Sequence, residues 1–125
     1  MSKLIKTYDR YEVVKVPFPF VNIKSSKVRP ALILSGAQSF NGKIGMSIMA
    51  MITSLKKDPK DLWPSDIEIE DLEDAGLMSP SLIRFKCFTL DHRLILDRLG
   101  ILSGIDQKKG STEIKRTLMW RITKN

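Results

Sequence analysis

Residues 12–18 read Glu-Val-Val-Lys-Val-Pro-Phe, residues 30–35 read Pro-Ala-Leu-Ile-Leu-Ser, and residues 43–53 form a longer apolar run. Valine and phenylalanine are frequent in the first run, the second begins at a proline, and the third is compatible with a β-strand throughout. Residues 24–27, Lys-Ser-Ser-Lys, form a polar turn between the first two runs. The three runs therefore predict consecutive strands.

A turn is also predicted before the third run, where the pair Asn41-Gly42 is typical of a tight hairpin. Further strands are predicted at residues 67–69, 81–89 and 94–102. Only residues 111–123 are predicted to be helical, because apolar residues recur there at helical spacing. Many short strands with one C-terminal helix predict a mainly β fold, a small β-barrel.

The chain has 125 residues, of which 42% are hydrophobic and one is a cysteine. This length predicts a single domain over residues 1–125 with one core. A lone cysteine forms no internal disulfide, and we expect Cys87 to be an inert buried thiol in a reducing compartment. Charges interrupt the first ten residues, and the apolar run 44–52 is too short to span a bilayer. The sequence thus predicts a soluble, cytoplasmic protein.

Charge is distributed unevenly along the chain, whose formal net charge is +7. Residues 58–74 contain eight acids and one base, a local charge of −7, so the remaining residues carry +14. A surface with that excess of positive charge attracts polyanions such as nucleic acid. The acidic stretch itself is expected to be a solvated loop.

Several kinds of chemistry are disfavoured by the sequence. With one histidine, His92, the chain has no paired-histidine acid–base site, and one cysteine with one histidine builds no zinc site. We expect His92 to lie on the surface. No glycine-rich phosphate loop is present, and the acidic stretch lacks the spacing of a calcium loop. We therefore predict no metal and no cofactor.

A resemblance covers most of the chain, from about Tyr11 to Ser103. Residues 11–20 and 26–35 resemble the opening of the MazF/PemK-like toxins of type II toxin–antitoxin systems, and later segments follow in the family's order. Those segments are Met51-Ile52-Thr53-Ser54, Ala75-Gly76-Leu77, Pro80-Ser81-Leu82-Ile83-Arg84, Phe88-Thr89-Leu90-Asp91 and Arg98-Leu99-Gly100. The joint occurrence of these short segments, in order, carries the resemblance.

The resemblance implies a compact SH3-like β-barrel that acts as a homodimer, cleaves single-stranded RNA without a metal and is inhibited by a cognate antitoxin protein. The family's catalytic arginine falls on Arg29 and its catalytic threonine or serine on Thr53. Arg84 matches an arginine that some relatives place at the active site. An arginine suits phosphate chemistry because its fixed fork of donors binds two phosphoryl oxygens and keeps its charge.

The remaining candidate residues carry less specific signals. Lys27, Ser54, Arg84 and Lys86 are predicted to bind RNA, and Glu12 is a possible general acid or base. The chain departs from the family pattern at Tyr11, where many relatives have a glycine before an acid. It also has Lys86 where some relatives have an acid.

Other functions remain open at the level of sequence. A similar barrel occurs in CcdB-like proteins, which inhibit DNA gyrase by binding it and cleave nothing. A plain RNA-binding barrel would bind phosphate through its basic surface without cleavage. Trp63, in a polar loop, is expected to cover the core, to stack on a base or to contact a dimer partner.

Overall fold

A computed structural model of the chain describes residues 7–17 and 27–118, except for the side chains of Ser39 and Leu118. Predictions for residues 18–26 and 119–125, including the last part of the predicted helix, lie outside these residues. The described strands are β1 (Glu12–Pro17), β2 (Val28–Ile33), β3 (Met46–Ser54), β4 (Ile67–Glu68), β5 (Ser81–Asp91) and β6 (Asp97–Ile101). The described α-helices are α1 (Gly42–Ile44), α2 (Leu72–Ala75) and α3 (Gly104–Leu118).

The six strands form one sheet in the order β4-β5-β3-β2-β1-β6, in which every pairing is antiparallel. The sheet curls into a half-barrel that ends in two edge strands. β3 lies near its centre and pairs with β5 over nine residues. The predicted mainly β fold with a C-terminal helix is confirmed.

Alternating side chains of the strands build a hydrophobic cluster on each face of the sheet. Val13, Leu32 and Ile52 belong to the first cluster, against which α2 and α3 pack. Val16, Ala31 and Met49 belong to the second cluster, on the opposite face. Both faces of the sheet are therefore partly buried.

A buried carboxylate joins α3 to the segment between β4 and α2. Asp106 is fully buried and accepts hydrogen bonds from the backbone N–H groups of Glu70 and Asp71, each at 3.0 Å. Its own N–H donates to Oγ of Ser103, which precedes the helix. This arrangement caps the helix and satisfies backbone donors that would otherwise be buried without a partner.

Two local predictions were wrong in their geometry. Asn41-Gly42 does not form a two-residue hairpin: residues 37–41 form a π-helical turn that continues into α1. The reason is that the side chain of Asn41 is buried and bonds the backbone oxygens of Tyr8 and Ser35. The C-terminal helix begins at Gly104, seven residues before the predicted start.

Two predictions of burial are reversed. His92 is buried, not on the surface, because its Nε2 lies 2.6 Å from the hydroxyl of Ser47 and its ring packs edge-on against Tyr8. Cys87 is exposed, not buried, and does not belong to either hydrophobic cluster. Partial burial of the sulfur still raises the pKa of the Cys87 thiol.

Two glycines allow a very close approach between α2 and β6. A Cβ atom at Gly76 would lie 2.0 Å from the backbone oxygen of Leu99, and one at Gly100 would lie 2.3 Å from that of Asp74. Gly76 also has a φ of 74°, in the left-handed region that favours glycine. No other residue fits either position without displacement of the backbone.

Within the part of the chain that the structure describes, none of the helices has both the length and the apolar character needed to cross a membrane.

Replacement of the buried carboxylate should destabilise the fold. We expect Asp106→Ala to lower the free energy of unfolding by about 2–4 kcal/mol, because two backbone N–H groups lose a charged acceptor in a buried site. Urea denaturation measures the change. Glu73→Ala, an exposed acid on α2, is the control and should change stability by less than about 0.5 kcal/mol. Equal stability of the two variants would contradict this role of Asp106.

Candidate active site

Arg29 and Thr53 lie on the same face of neighbouring strands, near the same end of each. The pairing of β2 with β3 ends at Ala31 opposite Met51, and Arg29 and Thr53 each lie two residues beyond that pair. Side chains two residues apart on a strand point to the same face of the sheet. The pair therefore shares the face that carries Ala31 and Met49, just beyond the hydrophobic cluster.

The side chains of Arg29 and Thr53 are partly exposed, and their polar atoms have no partner within the described residues. Arg29 and Thr53 are half-buried. Within residues 7–17 and 27–118, neither the guanidinium of Arg29 nor the hydroxyl of Thr53 makes a hydrogen bond or an ion pair. A permanent cation and a neutral donor are thus placed side by side, with polar atoms free to contact a ligand.

Lys27 and Ser54 lie at the same end of the sheet. Ser54 is the last residue of β3 and Lys27 immediately precedes β2, and both are exposed. The structure therefore places Lys27 and Ser54 at the same end of the strands as Arg29 and Thr53, although the side chain of Ser54 points to the opposite face from that of Thr53.

Arg84 is on the same face but is held by acids of the 58–74 stretch. It lies opposite Met51 on β5, one step along the sheet from Thr53. Its Nη2 and Nε bond the two carboxylate oxygens of Asp66 at 2.7 and 3.1 Å, and Nη2 also donates to the backbone oxygen of Asp61 at 2.8 Å. These hydrogen bonds raise the pKa of Arg84 further above its ordinary value. In this conformation the guanidinium is not open to a phosphate.

The pairing of Arg84 with Asp66 was not predicted from the sequence, because the acidic stretch was expected to be solvated. The side chain of Asp66 is only 5% exposed and that of Arg84 only 12%, so the pair is largely buried. The guanidinium also lies over the ring of Trp63, 4.7 Å from its centroid. No periodicity or motif near Asp66 marks it as a partner, since the pairing depends on how β4 aligns with β5.

Glu12 and Lys86 lie away from Arg29 and Thr53. Arg29 is level with Val16 on β1, so Glu12 is four residues, about 13 Å, farther along that strand. Its carboxylate is engaged by Arg98 and by the N–H of Asp9. The structure thus gives Glu12 an ion-pairing environment and does not bring it to the candidate site.

Lys86 is exposed and lies on β5 where the pairing with β3 shifts register. It is four residues along β5 from Leu82, the residue level with Thr53. Lys86 is therefore displaced along the strand from the candidate site, although it remains on the basic surface.

Tyr11, which replaces the family's usual glycine, keeps the backbone shape that a glycine favours. Its φ is 76°, in the left-handed region. The N–H of Tyr11 donates to Ile33 and its carbonyl accepts from Leu102. Hydrogen bonds on both sides therefore hold a left-handed residue in the turn before β1.

No group of three or more histidine, cysteine, aspartate or glutamate residues that could hold a metal ion occurs among residues 7–17 and 27–118.

Comparison with known proteins agrees with this architecture. A family model of PemK-like, MazF-like toxins of type II toxin–antitoxin systems matches residues 9–118. The chain therefore belongs to this family. No curated protein matches the sequence.

Solved structures share the fold at low sequence identity. MazF from Deinococcus radiodurans is similar with a TM-score of 0.67 and 22% identity, covering 90% of this chain and 97% of that one. An endoribonuclease from a mycobacterial species is similar with a TM-score of 0.68 and 15% identity, covering 93% and 95%. A mycobacterial endoribonuclease in complex with its cognate antitoxin has a TM-score of 0.66 and 14% identity, covering 89% and 94%.

The ion pair of Arg84 with Asp66 should behave as one energetic unit. We expect Arg84→Ala and Asp66→Ala each to lower the free energy of unfolding by about 2–4 kcal/mol, since each leaves a largely buried charge without its partner. The double variant should cost little more than either single variant, giving a coupling of about 2 kcal/mol in urea denaturation.

The exposed pair of Arg93 with Asp91 is the matched control. The side chain of Arg93 is 82% exposed, so the same double-mutant cycle should give a coupling below about 1 kcal/mol. Additive losses at Arg84 and Asp66 would show that the observed pair contributes no coupling.

Proposed function

We propose that this protein is a metal-independent endoribonuclease that cleaves single-stranded RNA at specific sequences, and that it acts as the toxin of a type II toxin–antitoxin system. The observation that carries the proposal is that Arg29 and Thr53 lie on one face of neighbouring strands, near the same end, and that neither side chain makes a hydrogen bond or an ion pair within the described residues. Membership of the PemK-like, MazF-like family supports it.

In the proposed reaction, the 2′-hydroxyl of the ribose gives up its proton to solvent and attacks the adjacent phosphorus. The bond from phosphorus to the 5′-oxygen of the next nucleotide breaks, and that oxygen takes up a proton from solvent. The product ends are a 2′,3′-cyclic phosphate and a 5′-hydroxyl. Negative charge accumulates on the non-bridging oxygens in the transition state, where preorganised donors have their largest effect. No outside nucleophile or metal ion is required by this route.

Arg29 and Thr53 have distinct roles in this reaction. The guanidinium of Arg29 binds the non-bridging oxygens through two parallel donors and neutralises the developing charge. The hydroxyl of Thr53 donates a hydrogen bond to a non-bridging oxygen. Lys27 and Ser54, both exposed at the same end of the sheet, bind neighbouring phosphates of the RNA.

The antitoxin is proposed to bind at the same end of β2 and β3 and so to compete with RNA. A mycobacterial endoribonuclease of the same fold has been solved in complex with its cognate antitoxin. An acidic, flexible antitoxin segment would order over the cationic residues, because opposite charge favours coupled folding and binding. A homodimer in the cytoplasm is the expected working form, as the family resemblance implies.

Loss of Arg29 should abolish most of the activity without unfolding the protein. We expect Arg29→Ala to slow cleavage of a long single-stranded RNA in excess chelator by about 10²–10³-fold, because one transition-state donor is lost. Primer extension maps the cuts, and end analysis identifies the cyclic phosphate. Arg93→Ala removes the same charge from an exposed position beyond the opposite end of β3 and should cleave like the unaltered protein.

Equal cleavage by Arg29→Ala and the unaltered protein would contradict the assignment. Intact RNA that is bound in a salt-dependent way would favour a plain RNA-binding barrel. Intact RNA without binding, together with inhibition of DNA gyrase, would favour a CcdB-like inhibitor.

The hydroxyl of Thr53 is tested by a pair of substitutions of similar size. Thr53→Val removes the hydroxyl and should slow cleavage by about tenfold or more, whereas Thr53→Ser keeps it and should retain most of the rate. Single-turnover rates at saturating RNA separate this effect from binding. Equal rates for the valine and serine variants would exclude a role for the hydroxyl.

A further inference from the structure

A hollow of about 330 Å³ lies beside the candidate active site. Its lining includes the apolar side chains of Leu55, Leu62, Trp63 and Leu82, together with Lys56 and Glu68. The volume falls at the small end of the range of about 300–1,000 Å³ that is typical of small-ligand pockets. The hollow is therefore large enough for one flat heterocycle.

Strand register connects this hollow to the active site. Thr53 pairs with Leu82 on β5, and Leu82 pairs with Glu68 on β4. Cross-strand partners share a face, so Thr53, Leu82 and Glu68 form one row across β3, β5 and β4. Neighbouring strands are about 4.8 Å apart, which places Glu68 about 10 Å from Thr53. The hollow therefore lies next to the residues that are proposed to bind the reacting phosphate.

The side chains that line the hollow suit an unstacked nucleobase. Leu82 is almost fully buried, whereas Trp63 is 42% exposed and Leu62 is equally exposed. Arg84 lies over the indole of Trp63 and holds the ring, and the backbone N–H of Trp63 donates to Asp66 and holds the loop, before any ligand arrives. A fixed, partly open aromatic ring beside apolar side chains is a stacking platform for a nucleobase.

Glu68 supplies a hydrogen-bond acceptor to the hollow, beside Lys56 as a donor. The two carboxylate oxygens of Asp66 are occupied by Arg84 and by the N–H of Trp63. The side chain of Glu68 is exposed, while Lys109 contacts only its backbone oxygen. A carboxylate only accepts hydrogen bonds, so it favours a base that presents two adjacent donors.

Guanine is the RNA base with that pattern, because its Watson–Crick edge carries N1–H next to the 2-amino group. Adenine and cytosine place an acceptor beside the amino group, and uracil places acceptors on both sides of its N–H, so each sets a lone pair against the carboxylate. Single-stranded RNA leaves these edges free to be recognised. An unpaired acceptor in the hollow penalises the other bases.

We propose that this hollow is a specificity subsite that binds a guanine base of the RNA, with Trp63 stacking on the ring and Glu68 accepting hydrogen bonds from N1–H and the 2-amino group. The proposal rests on the proposed ribonuclease function, which it extends from the reacting phosphate to base recognition. Glu68 acts here in binding and takes no part in bond cleavage.

The test maps cleavage of a random-sequence single-stranded RNA pool in excess chelator by three proteins. The unaltered protein should cut at sites that share a guanine at a fixed position from the cleaved bond. Glu68→Gln should lower that guanine enrichment by about tenfold, because an amide replaces one acceptor by a donor. Glu73→Gln removes the same charge from an exposed position on α2 and should leave the enrichment unchanged.

A substrate change separates base recognition from an effect on folding. Replacement of the guanine by inosine, which lacks the 2-amino group, should slow cleavage by the unaltered protein several-fold and have little effect on Glu68→Gln. Cleavage without guanine enrichment, or with the same enrichment in Glu68→Gln, would overturn the subsite and leave the ribonuclease proposal intact.

If no RNA is cleaved, the ribonuclease proposal fails, and the subsite is then tested by RNA binding alone. The probe is then a labelled uridine tract with one guanine, compared with the same tract containing inosine, by fluorescence anisotropy. Tighter binding of the guanine tract that Glu68→Gln abolishes would support the subsite. Equal binding of the two tracts would overturn it.

Discussion

The pairing of β3 with β2 on one side and β5 on the other is the constraint that positions the residues of the candidate site. A shift of one residue between β3 and β2 would place Thr53 and Arg29 on opposite faces of the sheet, and a shift between β3 and β5 would do the same to Thr53 and Leu82. Two hydrophobic clusters hold the register, because alternate residues of β3 are buried on both faces. Packing of the two clusters thus determines where the residues of the candidate site lie.

Two arginines on the same face have different environments. Asp66 neutralises Arg84 and fixes it against Trp63, whereas no described acid contacts Arg29. The acidic stretch, which the sequence suggested was solvated, is partly folded into the molecule: it supplies β4, α2 and the partner of Arg84. Arg29 and Lys27 therefore keep positive charge at this end of the strands, whereas the charge of Arg84 is neutralised by Asp66.

The strands were predictable from the sequence because apolar periodicity reports burial, and the resemblance located Arg29 and Thr53 by motif. What could not be predicted depends on contacts between distant residues. The turn at Asn41 follows from its buried bonds to Tyr8 and Ser35, and the occupied state of Arg84 follows from the alignment of β4. The start of α3 at Gly104 does have a local signal in the sequence, since Ser103 and Asp106 have the spacing of a helix-capping pair.

The close contact of α2 with β6 has an evolutionary consequence. Gly76 and Gly100 are required by sterics alone, so substitution at either is selected against in any relative that keeps this fold, whether or not it cleaves RNA. Arg29 and Thr53 carry no such packing duty. A homologue that retains both glycines but has lost Arg29 or Thr53 would be a folded descendant under a different selection, free to evolve binding without catalysis.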